Sequence, residues 1–238
     1  MSVNPNGPAK ADLPRLRVEY VKDERIAWLG HLEVEPTIER SIRRSRLPFS
    51  IGNGYARRMR VQFSQALPSG ASSAGEYYDL LLTEPVDEAE ALSRLVQSTP
   101  TGLAPQRCAY VDGHLPALEA WLDRSRWELI LLCNDVSPEA LRAALVTLSQ
   151  QGTLTYLRSG KEKHVDLTRT LVGFEVGMSE SGPAISLETR SDLRAALRPR
   201  ALVEAALALA HVEGSRPLRT RRVGLWHEND DGSLVEAL

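Results

Sequence analysis

The sequence predicts an α+β fold: two ferredoxin-like (split βαβ) halves with mostly antiparallel sheets and helices packed on one face. Two observations favour this class. Short apolar and β-branched stretches alternate with helical patterns along the 238 residues, enough chain for one large domain or two small ones. In addition, "YDLLL" (78–82) and "WELIL" (127–131) recur 49 residues apart, and an "EAL" follows each of them at that offset, which suggests a second copy of the first unit.

The first half reads as alternating strands and helices. Residues 15–21 and 25–30 are predicted to form a hairpin, and a helix is expected from about Glu33 to Arg46, with Pro36 tolerated in its first turn. The remaining expected elements are a loop at 50–58, strands at 59–67, 77–83 and 102–111, a loop at 68–76 and a helix at 87–98.

The second half repeats this alternation. A strand is expected at 127–131, followed by extended segments and then a helix at 199–212. The expected extended segments are 152–158, 164–168, 171–178 and 183–189, and a final strand covers 218–226.

These patterns give a domain plan. It comprises a flexible tail at 1–13, an α+β half at 14–112 that holds an arginine cluster, a connecting segment at 113–125, a second α+β half at 126–227 and an acidic tail at 228–238.

The arginine cluster is the most unusual feature of a chain whose net charge is −2. Seven arginines, with no acidic residue among them, lie between positions 40 and 60: Arg40, Arg43, Arg44, Arg46, Arg57, Arg58 and Arg60. On the predicted helix a buried stripe is formed by Val34, Ile38 and Ile42, which recur every four residues. Arg40, Arg43 and Arg44 fall on the opposite, outward side. Because guanidinium groups suit phosphates and carboxylates, the cluster is either an anion-binding surface or an ordinary solvated face.

Composition excludes several functions. No signal peptide and no membrane span is recognisable, so we expect a cytoplasmic protein with no membrane contact. Aromatic residues make up only 5% of the chain, which disfavours binding of single strands by aromatic platforms alone. Cys108 and Cys133 are expected on strands as free thiols without metal-ligand spacing, so we expect no metal and no cofactor.

Several motifs occur in a characteristic order. They are Gly30-His31-Leu32-Glu33, then Arg43, Arg44, Leu47, Pro48 and Ser50, then Glu76, Tyr77 and Asp79, and finally "VDL" (165–167) and "GSRP" (214–217). Across most of residues 15–220 the chain thereby resembles the radical-SAM-linked protein family, a bacterial domain of unknown function encoded beside, or fused to, a cobalamin-binding-type radical SAM protein. Where the family has a Gly-Phe loop followed by Pro-His-Pro, this chain has "GNGYARRM".

The resemblance implies a radical SAM protein as partner, often in the setting of RNA and ribosome metabolism, and no known activity. The radical SAM cysteine motif itself is absent from the sequence, so the chain is not the cluster-bearing enzyme.

Four residues are candidates for catalysis: His31, Glu33, Glu76 and Asp79. His31 lies at a strand-to-helix junction, where its ring could meet Glu33 or an anion, or simply pack locally. The carboxylates of Glu76 and Asp79 could face His31 or arginines across the sheet. For these two an internal ion pair is favoured over acid–base catalysis, which would require a pocket that shifts their pKa.

The candidate anion or RNA site comprises Arg40, Arg43, Arg44, Arg57, Arg58 and Arg60, with Gly52 and Gly54. The two glycines could let backbone N–H groups approach a phosphate. Residues 158–164 and 216–222 carry further basic side chains, which would strengthen an anion site if they shared a face with the cluster.

Three hypotheses follow. The first is a non-catalytic companion of a radical SAM protein that presents a basic face to RNA or another polyanion. The second is an enzyme that uses His31, Glu76 and Asp79 on an anionic substrate held by Arg43 and Arg44. The third is an adaptor that binds only protein.

Overall fold

The computed structural model describes residues 12–158, 160–191 and 196–238. The strands are β1 (Arg15–Lys22), β2 (Val61–Phe63), β3 (Ala71–Leu81), β4 (Pro105–Val111), β5 (Arg124–Leu131), β6 (Thr153–Arg158), β7 (Lys161–Asp166), β8 (Leu171–Ser179), β9 (Gly182–Arg190), β10 (Leu218–Glu228) and β11 (Leu234–Glu236). The helices are α1 (His31–Ser45), α2 (Glu88–Ser98), α3 (Leu118–Trp121), α4 (Pro138–Gln151), α5 (Leu167–Thr170) and α6 (Pro199–Leu209).

Within the part of the chain that the structure describes, nine strands form one sheet, in the order β4-β1-β3-β10-β5-β9-β8, with β2 paired to β3 and β11 paired to β10. Every strand pair in this sheet is antiparallel except β3 with β10. The remaining hairpin, β6-β7, stands outside it. The predicted α+β class with a mostly antiparallel sheet is therefore confirmed. The division into two independent halves stays a prediction.

Each part of the chain follows the β-α-β-β-α-β order of the split βαβ motif. The first part is β1-α1-β2-β3-α2-β4, and the second is β5-α4-β8-β9-α6-β10 with the β6-β7 hairpin and α5 between α4 and β8. The parallel pair of β3 and β10 joins the two sets of strands. Small side chains fit this junction: the hydroxyls of Ser72 and Ser73 donate to backbone carbonyls of β10.

Two large apolar clusters hold the helices on the sheet. Helices α1 and α2 pack on β1 and β3, whereas α4 and α6 pack on β5 and β9. The stripe predicted on α1 is confirmed, because Val34, Ile38 and Ile42 are all buried. A third, smaller cluster around Leu118, Tyr77 and Leu225 fixes α3 on the opposite face.

The predicted hairpin of residues 15–21 and 25–30 is wrong. Residues 24–26 form a 3₁₀ turn that Asp23 caps by accepting the Arg25 N–H, so the chain leaves the sheet after β1. The partners of β1 are β3 and β4.

The start of α1 also differs from the prediction. The helix begins at His31, with Gly30 as N-cap, so Pro36 lies inside the helix rather than in its first turn.

Several other expected boundaries differ. The strand expected at 59–67 is limited to β2, and part of the loop expected at 68–76 belongs to β3. The extended segment expected at 164–168 ends at Asp166, which caps α5. Cys108 lies on β4 as predicted, but Cys133 lies in the loop after β5.

The chain ends differ from simple tails. Within the expected acidic tail at 228–238, residues 234–236 form β11 and the following Ala237 is buried. Residues 1–11 of the expected N-terminal tail lie outside the described residues, whereas Leu13 is buried. No helix among the described residues is long and apolar enough to cross a membrane.

Candidate anion-binding cleft

An open cleft of about 540 Å³ lies between the β6-β7 hairpin and the sheet, on the face that carries the long helices. The segment 65–69 and the N-terminal end of α1 border it on one side, and Trp127 of β5 and Thr189 of β9 lie on the sheet side. Its basic lining residues are His31, Arg158, Lys163, His164, Arg190, Arg198 and Arg222. Glu119 is the one acidic side chain among the described lining residues.

Arg222 and Glu76 form a buried ion pair beside the cleft. The Arg222 Nε donates to Glu76 Oε1 at 2.7 Å, and its Nη2 donates to Glu76 Oε2 and, at 2.9 Å, to the carbonyl of Gln65. The guanidinium carbon lies 5.2 Å from the centre of the Trp127 ring, a cation–π arrangement. The charges of Arg222 and Glu76 therefore neutralise each other within the protein, and these contacts hold the Arg222 side chain in place at the cleft.

Three other cationic side chains in the cleft lack an acidic partner of this kind. Among the described residues, no acidic group pairs with Arg158, Lys163 or Arg198. Burial and the nearby Arg158 cation together lower the pKa of Arg198. An anion between these side chains would relieve their mutual repulsion.

His31 reaches the edge of this cleft from the first turn of α1. Its Nε2 lies 2.7 Å from Glu35 Oε1, and its ring meets Phe63 edge-on with centroids 6.0 Å apart. Glu33 instead accepts the Gly30 N–H at 2.7 Å and so caps the helix. His31 therefore contacts Glu35 rather than Glu33.

Asp79 lies on the opposite face of β3 from Glu76. It accepts two hydrogen bonds from Arg17, at 2.8 and 3.0 Å. It also forms an ion pair with Arg15, whose Nε lies 2.8 Å from Asp79 Oδ2. Arg17 also stacks on Trp121 of α3, at 4.8 Å from the ring centre. Both carboxylates are thus held in buried ion pairs, as the sequence favoured. Glu76 lines a small cavity together with His31, whereas Asp79 lies on the other face of the sheet, so the three side chains do not meet at one site.

The arginine cluster does not line the cleft. Arg40, Arg43 and Arg44 are exposed on α1, which confirms their predicted side of the helix. Arg43 lies 3.7 Å from Glu39, and Arg43 and Arg44 occupy the last turn, where cations stabilise the helix dipole.

Arg46 is the C-cap of α1, and the other three arginines of the cluster belong to the loop that follows. Arg57 and Arg58 are exposed there, and Arg60 lines a separate cavity beside Arg15. The Gly52 N–H donates to the Arg58 carbonyl at 2.8 Å and is therefore not free to bind a phosphate. No other heavy atom lies close to a Cβ built on Gly54, so that position is open.

Sequence analysis noted several of the cleft residues but did not predict that they lie together in one cleft. Arg158, Lys163, His164 and Arg222 come from the two additional basic segments, 158–164 and 216–222. Arg198 and Tyr156 were missed, because a single arginine or tyrosine carries no local pattern. Only the three-dimensional structure reveals these two residues, because the β6-β7 hairpin and the start of α6 lie next to each other and to β10.

Both thiols lie where burial disfavours the thiolate form, because it raises the pKa of each. Cys108 and Cys133 are both free, and burial raises the pKa of Cys108 to about 11. Within the described ranges, no group of three His, Cys, Asp or Glu side chains is placed to hold a metal ion.

Fold and site together define an α+β protein with a basic cleft at the junction of two sets of strands. The chain belongs to the DUF2344 family, described as an uncharacterized protein conserved in bacteria, which matches residues 15–199. No curated protein matches it.

Two solved structures show what the chain is similar to. One is a Cbf5-Nop10-Gar1 complex, with 13% identity, a TM-score of 0.48 and coverage of 96% of this chain. The chain spans only 57% of that matched chain. The other is an unknown protein from Galdieria sulphuraria, with 12% identity, a TM-score of 0.27 and coverage of 89% and 99% of the two chains. Identities and scores this low say nothing about function.

Proposed function

We propose that this protein is a non-catalytic RNA-binding companion of a radical SAM protein and that it holds RNA in the basic cleft. The observation that carries the RNA part is the set of three cations, Arg158, Lys163 and Arg198, which line an open cleft without acidic partners among the described residues. Cations that are not neutralised within the protein are available to phosphates, and release of condensed counterions then drives binding.

The surroundings of these cations suit a nucleic acid. Tyr156 lines the cleft and is half-buried, so its ring can accept a stacked base, an interaction that tolerates any base. Arg158 and Lys163 lie on neighbouring strands of the β6-β7 hairpin. A volume of about 540 Å³ is in the usual range for ligand sites, and the open shape leaves room for a chain that continues beyond it.

The enzymatic alternative has less support from the geometry. It requires His31, Glu76 and Asp79 around one substrate, but each carboxylate is neutralised by arginine and the two occupy opposite faces of the sheet. A general base needs to reach the proton that it abstracts, and Asp79 is remote from the cleft that His31 borders.

The partner is proposed from the resemblance of residues 15–220 to the radical-SAM-linked family. In this proposal the protein works in the cytoplasm and delivers RNA to the partner enzyme. Affinity purification from native cells, with and without nuclease, tests this part. A radical SAM protein that co-purifies in either condition supports it, whereas its absence from both contradicts it.

The RNA part is tested by fluorescence anisotropy with a labelled single-stranded RNA over a range of salt concentrations. For wild type we expect the logarithm of affinity to fall linearly with the logarithm of salt. Arg158→Ala with Lys163→Ala should weaken binding and reduce the slope by about 1.4, since each phosphate contact on a single strand contributes about 0.7.

The matched control is Arg43→Ala with Arg44→Ala, which removes the same charge from the exposed side of α1. A larger effect of the control than of the cleft variant would place RNA on the helix and contradict the proposal. No binding by wild type at low salt would contradict it as well, and would favour the protein-only adaptor.

A further inference from the structure

Helix α6 begins beside the cleft, and no side chain of its first turn neutralises the positive end of its backbone dipole. Its N-cap, Arg198, makes no side-chain capping hydrogen bond, Pro199 occupies the first turn, and that turn contains no acidic residue. The helix is 11 residues long, so its backbone dipole and the free N–H groups of its first turn favour an anion at this end.

A residue with a buried, unpartnered hydroxyl lines a cavity next to this helix end. Thr220 of β10 is 6% exposed, and its Oγ1 has no hydrogen-bond partner among the described residues. Buried polar atoms are nearly always hydrogen-bonded, so an unpartnered hydroxyl calls for an explanation. Thr220 lines a cavity of about 150 Å³ together with Ser69, Arg198 and Arg200.

The charges around this cavity are mainly positive. Arg158, Arg198 and Arg200 line it, and Glu204 is the one acidic residue among its described lining residues. Glu204 lies 3.7 Å from Arg200, whose Nη2 also donates to the Leu218 carbonyl. Arg158 and Arg198 therefore remain as two cations close enough to repel each other.

We propose that the start of α6, Thr220, Arg158 and Arg198 form a binding site for a phosphate monoester. In this arrangement the first-turn N–H groups and the Thr220 hydroxyl donate to phosphate oxygens, and the two arginines neutralise the dianion. The site adjoins the cleft, with which it shares Tyr156, Arg158 and Arg198. Its phosphoryl group belongs either to the end of an RNA or to a small phosphorylated molecule, and the site does not depend on the proposed RNA binding.

Calorimetric titration with inorganic phosphate in chloride buffer tests the site. Wild type should bind, and Thr220→Val should bind at least about tenfold more weakly, since one hydrogen bond to a charged group is lost. Thr220→Ser, which keeps the hydroxyl, should bind within about twofold of wild type. Thr147→Val on the exposed side of α4 is the control.

Thermal unfolding separates loss of binding from loss of folding. Without phosphate, Thr220→Val should unfold at or above the wild-type temperature, because an apolar group replaces an unpaired buried hydroxyl. Phosphate should raise the unfolding temperature of wild type and of Thr220→Ser much more than that of Thr220→Val. Equal phosphate binding by wild type and Thr220→Val, or no binding by wild type at millimolar phosphate, would overturn the inference.

Two RNA probes identify the source of the phosphoryl group. Tighter binding of a 5′-phosphorylated RNA than of its 5′-hydroxyl form, lost in Thr220→Val, assigns the site to an RNA end. Equal binding of the two RNAs, together with phosphate binding, assigns it to a small ligand. RNA binding without phosphate binding overturns this inference alone, whereas phosphate binding without RNA binding contradicts only the proposed function.

Discussion

The Arg222 guanidinium and the Glu76 carboxylate meet at 2.7 Å across 146 residues of sequence, with side chains only 2% and 4% exposed. Arg222 belongs to β10 and Glu76 to β3, the two strands that join the two sets of strands. The pair therefore lies where the two parts of the chain meet, beside the cleft that we propose as the RNA-binding site.

Breaking this pair should strongly destabilise the protein. Glu76→Gln leaves the Arg222 charge buried without its counterion, and we expect a loss of about 3–5 kcal/mol in the free energy of unfolding, measured with urea. Replacing both residues, Glu76→Leu with Arg222→Met, should recover part of that loss.

The control for this prediction is Arg94→Ala, in an exposed ion pair with Glu90 on α2, which should change stability by less than about 1 kcal/mol. If Glu76→Gln were as mild as this control, the pair would contribute little to holding the two sets of strands together.

Stability should decrease in acid through Glu228. Hydrogen bonds from Arg190 and then Arg124 lower the pKa of Glu228 to about 2, from an ordinary value of 4.5. Because the folded pKa is depressed, the contribution of Glu228 is complete above about pH 4.5 and is lost as the pH falls towards 2. Glu228→Gln should therefore be less stable than wild type at neutral pH, and the difference should shrink over this window. A difference that does not change with pH would show that the charge is irrelevant.

Removing the last five residues, 234–238, should lower the unfolding temperature. These residues include β11 and the buried Ala237, whose carbonyl accepts a hydrogen bond from Arg17 Nη1 at 3.1 Å. Deletion leaves that donor without its partner and uncovers the cluster around Leu118 and Leu225. Calorimetry would measure the shift, and an unchanged unfolding temperature would mean that the segment behaves as the acidic tail suggested by its composition.

Gly182 should tolerate no side chain. It has φ +135°, and a Cβ there would overlap the backbone carbonyl oxygens of Leu131 and Cys133, so Gly182→Ala forces β9 away from β5. We expect a loss of at least about 2 kcal/mol. Gly177→Ala on β8, where a Cβ meets no atom within 4 Å, is the control and should be nearly neutral. Equal stability of the two variants would contradict the backbone placement of Gly182.

The local pattern of the sequence predicted local structure well. The four-residue spacing of Val34, Ile38 and Ile42 predicted the buried side of α1, and the outward arginines followed from it. By contrast, Ser72 and Ser73 lie in a stretch that is typical of a loop, yet β10 pairs with it and makes it a strand. The partner that overrides the local preference is about 150 residues away, and no local pattern reveals it.

The cleft was only partly predictable for the same reason. Glu76 was expected to pair with an arginine, but its partner depends on the register between β3 and β10. The dense run of arginines near α1 attracted attention because it is contiguous in sequence. The cations of the cleft come from the β6-β7 hairpin, the start of α6 and β10, so their proximity follows from topology.

Ultraviolet cross-linking of bound RNA, followed by peptide mass spectrometry, tests the central claim most directly. We expect cross-links on peptides that line the cleft, above all the one containing Tyr156, and their loss in the double variant Arg158→Ala with Lys163→Ala. Cross-links confined to the loop of residues 51–58 around the exposed Tyr55, and unaffected by the cleft variant, would contradict the RNA-binding proposal.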